Sequence, residues 1–447
     1  MSDIAGGGGL RAPRAALRRH EPKVSLNGIL PLSLIGAAAL WLCAFSGFFV
    51  IDEPAPYDLL VVAVAGIAFL CGLPLPRAIA PMVILLLVYI SGGILSSTQV
   101  PGFDNSPMYM ATTGYLIVSA IFYAAVTARS ERMLNAIVRG YVAGAVLAAL
   151  AGIVGYFGLL PGANGLFTLY GRAKGTFQDP NVFGPFLIFP ATWLAYTVLM
   201  QPLRKGLVAG ALLFVLLAGL FLSFSRATWG MTAFTLCGVG LLVFANERNP
   251  LVRLRIVALA VVGALMVALA LVVALHTSSV GTLFAERAEL VQSYDSSHLG
   301  RFARHVLGFL LAGERPLGIG PLQFYKTFTE DPHNMYLKSF MAYGWIGGIA
   351  WPVLMACTLG FLFPLIFQPR ATRGIAIALF LTLVGHALNA LVIDMDHWRH
   401  NFLLIGLAWG LIAQEAAHRA RSRKARAARV HNGTAGATSG EFRTGSA

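Results

Sequence analysis

Two side chains, Arg226 and His333, are suited to chemistry: Arg226 lies in a very short turn between two apolar runs, and His333 lies where a long polar segment meets an apolar one. The planar guanidinium of Arg226 stays charged when partly desolvated and offers two donors to phosphate oxygens, so we predict that it binds a phosphate group. His333 follows Pro332 and is therefore predicted near the start of a helix. A histidine titrates near neutral pH and can accept the proton of a hydroxyl group without a metal ion. The alternatives are a lipid-headgroup contact for Arg226 and a backbone hydrogen bond for His333.

Further polar residues share the predicted membrane face with this pair. Arg301 and Arg304 are three positions apart and would be neighbours on a helix. Asp179 is suited to cap the helix that Pro180 begins, and a contact with a polar substrate is the alternative. The positive-inside rule disfavours cations on this outer face of the membrane. Cations that are found there therefore suggest an anionic ligand. We therefore predict substrate-binding roles for Arg304, Arg172, Lys174, Asn334, Asp179, Asn181 and Lys338.

Two more segments have compositions typical of ligand sites. Asp394–His400 is rich in groups that bind metals, but its spacing matches no specific site. We predict an outer loop with a tryptophan at the membrane interface, and no metal or other cofactor. Pro316–Phe324 is rich in glycine but lacks the Lys-Ser/Thr ending of a phosphate-binding loop. We predict a tight turn there that brings the chain back over the helices.

The composition is that of a membrane protein. Of the 447 residues, 57% are hydrophobic and only 12% are charged, which would leave large apolar patches on a water-soluble protein. Apolar runs of about 20 residues suit helices that cross roughly 30 Å of hydrocarbon, whereas a β-barrel would show short alternating segments. We therefore predict an all-α integral membrane protein with about twelve transmembrane helices.

The distribution of charge predicts how the chain crosses the membrane. The formal net charge is +14, but most Lys and Arg fall in short segments on one side of the predicted spans, which indicates membrane topology rather than nucleic-acid binding. We predict a basic cytoplasmic tail at 1–28 and a membrane domain at 29–416, with a large periplasmic loop at 276–332 between spans nine and ten. A disordered cytoplasmic tail is predicted at 417–447, so both termini would be cytoplasmic.

Short motifs along roughly 175–351 resemble those of one family. His333-Asn334 is followed by Leu337 and Gly344, and this spacing is the most specific of them. The supporting motifs are Asp179-Pro-Asn-Val-Phe-Gly184, Ser225-Arg226, Arg301 and Pro316-Leu-Gly-Ile-Gly320. Together they resemble the O-antigen ligase and polymerase superfamily of bacterial inner-membrane glycosyltransferases.

The resemblance implies a periplasmic active site whose donor is a glycan on undecaprenyl pyrophosphate. Arg226 and Arg301 would bind the pyrophosphate and stabilise its developing charge, and His333 would activate or orient the acceptor hydroxyl. The expected partners are this donor, lipid A–core or a glycan as acceptor, and membrane lipids, without nucleic acid. The family is thought to act without a metal ion.

Three functions stay open. The His-Asn-x-x-Leu motif and the single dominant loop favour an O-antigen ligase over an O-antigen or exopolysaccharide polymerase of the same superfamily. An anionic-solute transporter is the alternative of another class, since outer arginines could capture the solute. His386 and Asn389 would then be the mid-membrane candidates, although hydrogen bonding between helices is the use that we expect for them.

Overall fold

The computed structural model of the protein describes residues 32–276, 300–328 and 330–438. Almost all of its regular structure is helical. A two-stranded antiparallel hairpin, β1 (Thr168–Leu169) and β2 (Arg172–Ala173), precedes α7. Short 3-10 helices cover Arg77–Ile79 and Phe363–Phe367. The α-helices are α1 (Leu32–Ser46), α2 (Pro56–Leu70), α3 (Ala80–Ser97), α4 (Ser106–Arg129), α5 (Glu131–Tyr156), α6 (Ala163–Phe167), α7 (Pro180–Met200), α8 (Leu203–Leu222), α9 (Arg226–Asn246), α10 (Pro250–His276), α11 (Arg301–Glu314), α12 (Phe324–Phe328), α13 (Met335–Leu362), α14 (Arg373–Asn389) and α15 (Arg399–Thr438).

Several helices have the length and composition of membrane spans, so the prediction of an all-α, multi-pass membrane protein is confirmed. Within the described ranges, seven helical segments are long and apolar enough to cross a bilayer. They are Arg77–Ser97, Ser106–Arg129, Glu131–Tyr156, Pro180–Met200, Leu203–Leu222, Arg226–Asn246 and Met335–Phe367. The apolar parts of α1, α2 and α14 are shorter, at 10–17 residues. The number of twelve spans stays a prediction.

One end of the bundle carries the loops that matter for the candidate site. The Met335 N–H, at the start of α13, donates to the Ala390 carbonyl just beyond α14 (2.7 Å). The rings of Phe186 in α7 and His400 in α15 meet edge to face with centroids 5.7 Å apart. The starts of α7, α13 and α15 and the end of α14 therefore lie together, and we call this the loop end.

The turn predicted at Pro316–Phe324 is confirmed, and it packs against a kink in α13. Gly318 and Gly320 have positive φ, as a tight turn requires. Inside α13, Gly344 leaves the helical conformation with φ 64° and ψ −172°. The Trp345 N–H then donates to the Pro316 carbonyl (2.9 Å), so the turn supplies an acceptor that the kinked helix lacks.

The end of the chain differs from the prediction. Residues 417–438 belong to the helix α15, where the sequence predicts a disordered tail. Alanine and arginine dominate this stretch and both favour helix, and Glu415 pairs with Arg419 one turn later at 2.8 Å. The predicted tail at 1–28, residues 277–299 of the predicted large loop and residues 439–447 lie outside the described residues.

Candidate functional site

His333 lies at the loop end, two residues before α13 begins, as its sequence context predicts. Its side chain is exposed, and its backbone has φ 47°, a left-handed conformation that non-glycine residues adopt rarely. A residue is kept in such a conformation only when its surroundings determine it strongly.

Asn334 makes many of the contacts that hold the backbone of His333 in this conformation. Its side-chain oxygen caps α13 by accepting from the Leu337 N–H (3.0 Å), and its amide group donates to the Leu391 carbonyl (3.1 Å). Its backbone N–H donates to a carboxylate oxygen of Asp394 (2.9 Å). Asn334 is only 5% exposed. These contacts tie the residue after His333 to the loop between α14 and α15, so Asn334 fixes His333 in place.

Lys338 reaches the same loop from the first turn of α13. Its ammonium lies 3.5 Å from Asp394 and 3.6 Å from Asp396. Asp396 also accepts hydrogen bonds from the hydroxyl groups of Tyr109 and, at 3.4 Å, Tyr343. We refer to His333, Asn334, Lys338, Asp394 and Asp396 as the His333 cluster.

The two carboxyl groups of this cluster differ in their electrostatics. Burial raises the pKa of Asp394, although the charges of Lys338 and His333 lower it in part. Burial also acts to raise the pKa of Asp396, but Lys338 and the Tyr109 hydrogen bond hold it below its ordinary value. The pKa values of the two carboxyl groups are therefore shifted in opposite directions, although Lys338 lies at similar distances from both.

Arg301 and Arg304 approach the His333 cluster from α11, where they are neighbours on one helix as predicted. Arg304 is 6% exposed and its guanidinium lies 2.5 Å from the Glu330 carboxylate. Arg301 donates to the Val392 carbonyl at 3.5 Å.

His305, one turn along the same helix, donates to the carbonyl of Pro332 at 2.7 Å. Burial lowers the pKa of His305, which favours the neutral ring. Pro332 directly precedes His333, so this bond holds the chain on the N-terminal side of the histidine. Helix α11 also brings Arg301 to the loop that carries Asp394.

A second group of predicted residues lies at the start of α7. Arg172 of β2 is 8% exposed and donates from Nε to the Ser223 carbonyl (2.8 Å) and from Nη2 to the Asn181 side-chain oxygen (2.8 Å). Asp179 caps α7 as predicted, accepting from the Asn181 N–H at 2.6 Å.

Arg226 is close to this group, since it is the first residue of α9, three positions after Ser223, and it is half-buried. We call Arg172, Asn181 and Arg226 the Arg172 cluster. Lys174 is half-buried nearby, and its backbone N–H bonds the Phe167 carbonyl (2.9 Å). For the residues that the structure describes, no contact of the Lys174 ammonium with either cluster is seen.

Asp394 and Asp396 are members of the site that the sequence does not identify as such. The sequence predicts an outer loop there with Trp398 at the membrane interface, and this is wrong in one respect: Trp398 is 8% exposed and its ring packs on His400 (5.1 Å). In the same segment, Asp394 and Asp396 both contact Lys338. In the sequence, the feature that indicates this part of the site is the presence of two carboxylates, Asp394 and Asp396, between two apolar segments. Over the described ranges, no group of three or more His, Cys, Asp or Glu is placed to hold a metal ion.

The fold and this site define a multi-pass, α-helical membrane protein with cationic, acidic and histidine groups collected at one end of the bundle. Residues 211–351 match the family described as O-Antigen ligase, and this segment contains Arg226, Arg301 and His333. Over these residues the chain is similar to that family, in agreement with the resemblance of its short motifs. No curated protein matches the chain.

Proposed function

We propose that the protein transfers a glycan from undecaprenyl pyrophosphate to an acceptor hydroxyl on the periplasmic face of the bacterial inner membrane, as an O-antigen ligase that attaches polysaccharide to lipid A–core. The observation that carries the proposal is an exposed histidine next to a largely buried ion-pair network, at the same end of the bundle as Arg226 and Arg172. The family match over 211–351 supports the class of reaction.

On the donor side, Arg226 and Arg301 bind the pyrophosphate, with Arg172 beside Arg226. Guanidinium groups match phosphate oxygens in pairs and stabilise the charge that develops as the bond between the sugar and the pyrophosphate breaks. Undecaprenyl pyrophosphate is the leaving group. No metal ion is required for this step, because the cations of the chain supply the positive charge.

On the acceptor side, His333 accepts the proton of the hydroxyl group as its oxygen forms the new bond to the sugar carbon. Asp394 accepts a hydrogen bond from the backbone N–H of Asn334, the residue directly after His333. We assign Asp394 and Lys338 to positioning, because the structure gives both of them protein partners.

A transporter is disfavoured by the residues that would serve it. His386 is fully buried, and a hydrogen bond of 3.0 Å links its Nδ1 to the side-chain oxygen of Asn401 in α15. This is the helix-to-helix bond that the sequence predicts for His386, and it leaves the residue packed inside the bundle rather than along a solute path.

The membrane orientation belongs to the same proposal. At the end opposite the loop end, Arg370 pairs with Glu415 (3.2 Å), and Arg255 donates to the carbonyls of Leu199 (3.1 Å) and Gln201 (2.9 Å). Arginines are typical of cytoplasmic loops, so we place that end in the cytoplasm and the loop end in the periplasm.

The acceptor is tested by the surface polysaccharide of a deletion strain. We expect polymer to accumulate on its lipid carrier while the lipid A–core carries none. Expression of the wild-type gene should restore lipid A–core that carries polysaccharide. Single repeat units in place of polymer would identify a polymerase instead. Unchanged polysaccharide, together with uptake of an anionic solute by proteoliposomes, would contradict both and favour a transporter.

A further inference from the structure

A cavity of about 190 Å³ opens at the loop end between α1, α2, α5, α7 and α15. It is smaller than the pockets of roughly 300–1,000 Å³ that hold drug-sized ligands, and its size suits one sugar ring. Aromatic side chains form much of its wall, namely Tyr57, Tyr141, Phe177, Phe186 and Trp398. Flat rings of this kind pack well against the C–H face of a sugar.

Polar groups complement these rings. The exposed side chains of Glu53, Gln178 and Asp179 lie at the rim and can bind hydroxyl groups. Deeper in the wall, His400 is only 5% exposed, and its Nε2 has no hydrogen-bonding partner in the described part of the chain. His400 therefore places an imidazole ring in the wall of the cavity, and imidazole nitrogens can bind hydroxyl groups.

The cavity has both clusters as neighbours. On one wall, Asp179 caps the helix whose Asn181 binds Arg172. On the other wall, the His397 ring packs on Tyr109 with centroids 4.2 Å apart, and Tyr109 donates to Asp396. A ligand in the cavity would therefore lie beside the groups proposed to bind pyrophosphate and beside those that support His333.

We infer that this cavity binds one sugar ring of a glycan substrate, with its C–H face on the aromatic wall and its hydroxyl groups towards the His400 ring and the polar rim. The inference rests on the proposed function, which supplies glycans as substrates. The sugar belongs either to the donor glycan or to the acceptor. Its chemistry is the same in both cases, and steady-state kinetics separate them.

The test uses two variants of the full-length protein and one matched control. Val182→Trp fills the cavity from α7, since Val182 lines it. His400→Phe keeps a ring of similar shape but removes Nε2, a change that does not destabilise a site whose polar atom has no protein partner. Leu159→Trp is the control, because Leu159 is 63% exposed at the same end of the bundle and does not line the cavity.

Purified proteins are assayed in detergent with undecaprenyl-pyrophosphate-linked glycan as donor and with lipid A–core or a second lipid-linked glycan as acceptor. We expect Val182→Trp to raise the KM of one substrate about tenfold and His400→Phe about threefold, with kcat changed little. Thermal unfolding of His400→Phe should occur at or above the wild-type temperature, and Leu159→Trp should match wild type throughout.

The substrate whose KM rises identifies the source of the sugar, and either result supports the inference. Wild-type KM values for both substrates in folded His400→Phe would overturn it while leaving the proposed function intact, even if Val182→Trp failed to fold. Wild-type protein that transfers no glycan to either acceptor would overturn the proposed function, and this inference with it.

Discussion

The two clusters at the loop end hold their cations in different ways. In the His333 cluster, Lys338 contacts two carboxylates, at 3.5 Å and 3.6 Å. In the Arg172 cluster, Arg172 donates to two neutral oxygens, those of Ser223 and Asn181, both at 2.8 Å. The contacts of Lys338 join it to acidic groups, and the two hydrogen bonds of Arg172 fix the direction of its guanidinium.

This difference suits two separate tasks. Removal of one partner from a buried ion pair is strongly destabilising, so we assign Lys338, Asp394 and Asp396 to support and leave the chemistry of the His333 cluster to its exposed member, His333. A guanidinium whose direction is fixed by hydrogen bonds loses less freedom when it binds an anion. We therefore expect changes in the His333 cluster to affect turnover and stability, and changes in the Arg172 cluster to affect donor binding.

The largest effect is expected from His333→Asn. Asparagine tolerates the left-handed backbone that His333 adopts, so the variant removes the proton acceptor without adding backbone strain. We expect kcat to fall by roughly 100-fold or more, with normal membrane insertion. Transfer to acceptor by the purified variant measures this. The matched control is His418→Asn, near Arg370 at the opposite end, and turnover of His333→Asn near the wild-type rate would contradict the role of His333.

A large effect on stability is expected from Lys338→Met. The variant leaves Asp396 buried without its ammonium partner, which we expect to lower the free energy of unfolding by about 3 kcal/mol. The double variant Lys338→Met/Asp396→Asn should recover part of this loss, because the uncompensated charge is removed as well. Denaturant unfolding in detergent completes the double-mutant cycle. Additive losses would show that the pair is not coupled.

A moderate effect on binding is expected from Asn181→Ala. Loss of its side-chain oxygen frees the Arg172 guanidinium to reorient, so the donor KM should rise about threefold to tenfold with kcat nearly unchanged. Asn164→Ala is the control, since Asn164 bonds the Gly155 carbonyl at the same end of the bundle. An equal rise in both variants would contradict a specific role for the Arg172 cluster.

The smallest effect is expected from removing metal ions. Cations of the chain supply the charge in the proposed donor site, so EDTA should leave the transfer rate within about twofold of its untreated value. The assay is run with and without added Mg²⁺. Loss of transfer that Mg²⁺ restores would make Asp394 and Asp396 the first residues to examine as ligands.

Much of the fold follows from local sequence. Apolar runs of sufficient length form helices. The start of α7 can be read from Asp179 followed by Pro180, because a helix cap and a first turn depend on neighbouring residues only. The kink at Gly344 does not follow in this way. Gly344 leaves the helix at a point where the Pro316 carbonyl accepts from the Trp345 N–H, and that contact joins distant parts of the chain.

In the candidate site, too, some residues can be found from local sequence, whereas contacts between distant residues cannot. Arg226 and His333 can be found from the sequence because each lies at a boundary between polar and apolar segments. The ion pairs of Lys338 with Asp394 and Asp396 join residues more than fifty positions apart, so spacing along the chain contains no sign of them. The helix at 417–438 was missed for another reason: its basic composition resembles that of disordered tails, while its alanines favour helix.

The division of labour between the clusters is tested most directly by equilibrium binding of undecaprenyl pyrophosphate to purified His333→Asn and Arg226→Gln. We expect His333→Asn to bind the lipid with wild-type affinity although its kcat falls by roughly 100-fold or more, and Arg226→Gln to bind at least tenfold more weakly. Wild-type affinity in Arg226→Gln, or an equal loss of affinity in both variants, would contradict the assignment of donor and acceptor sides.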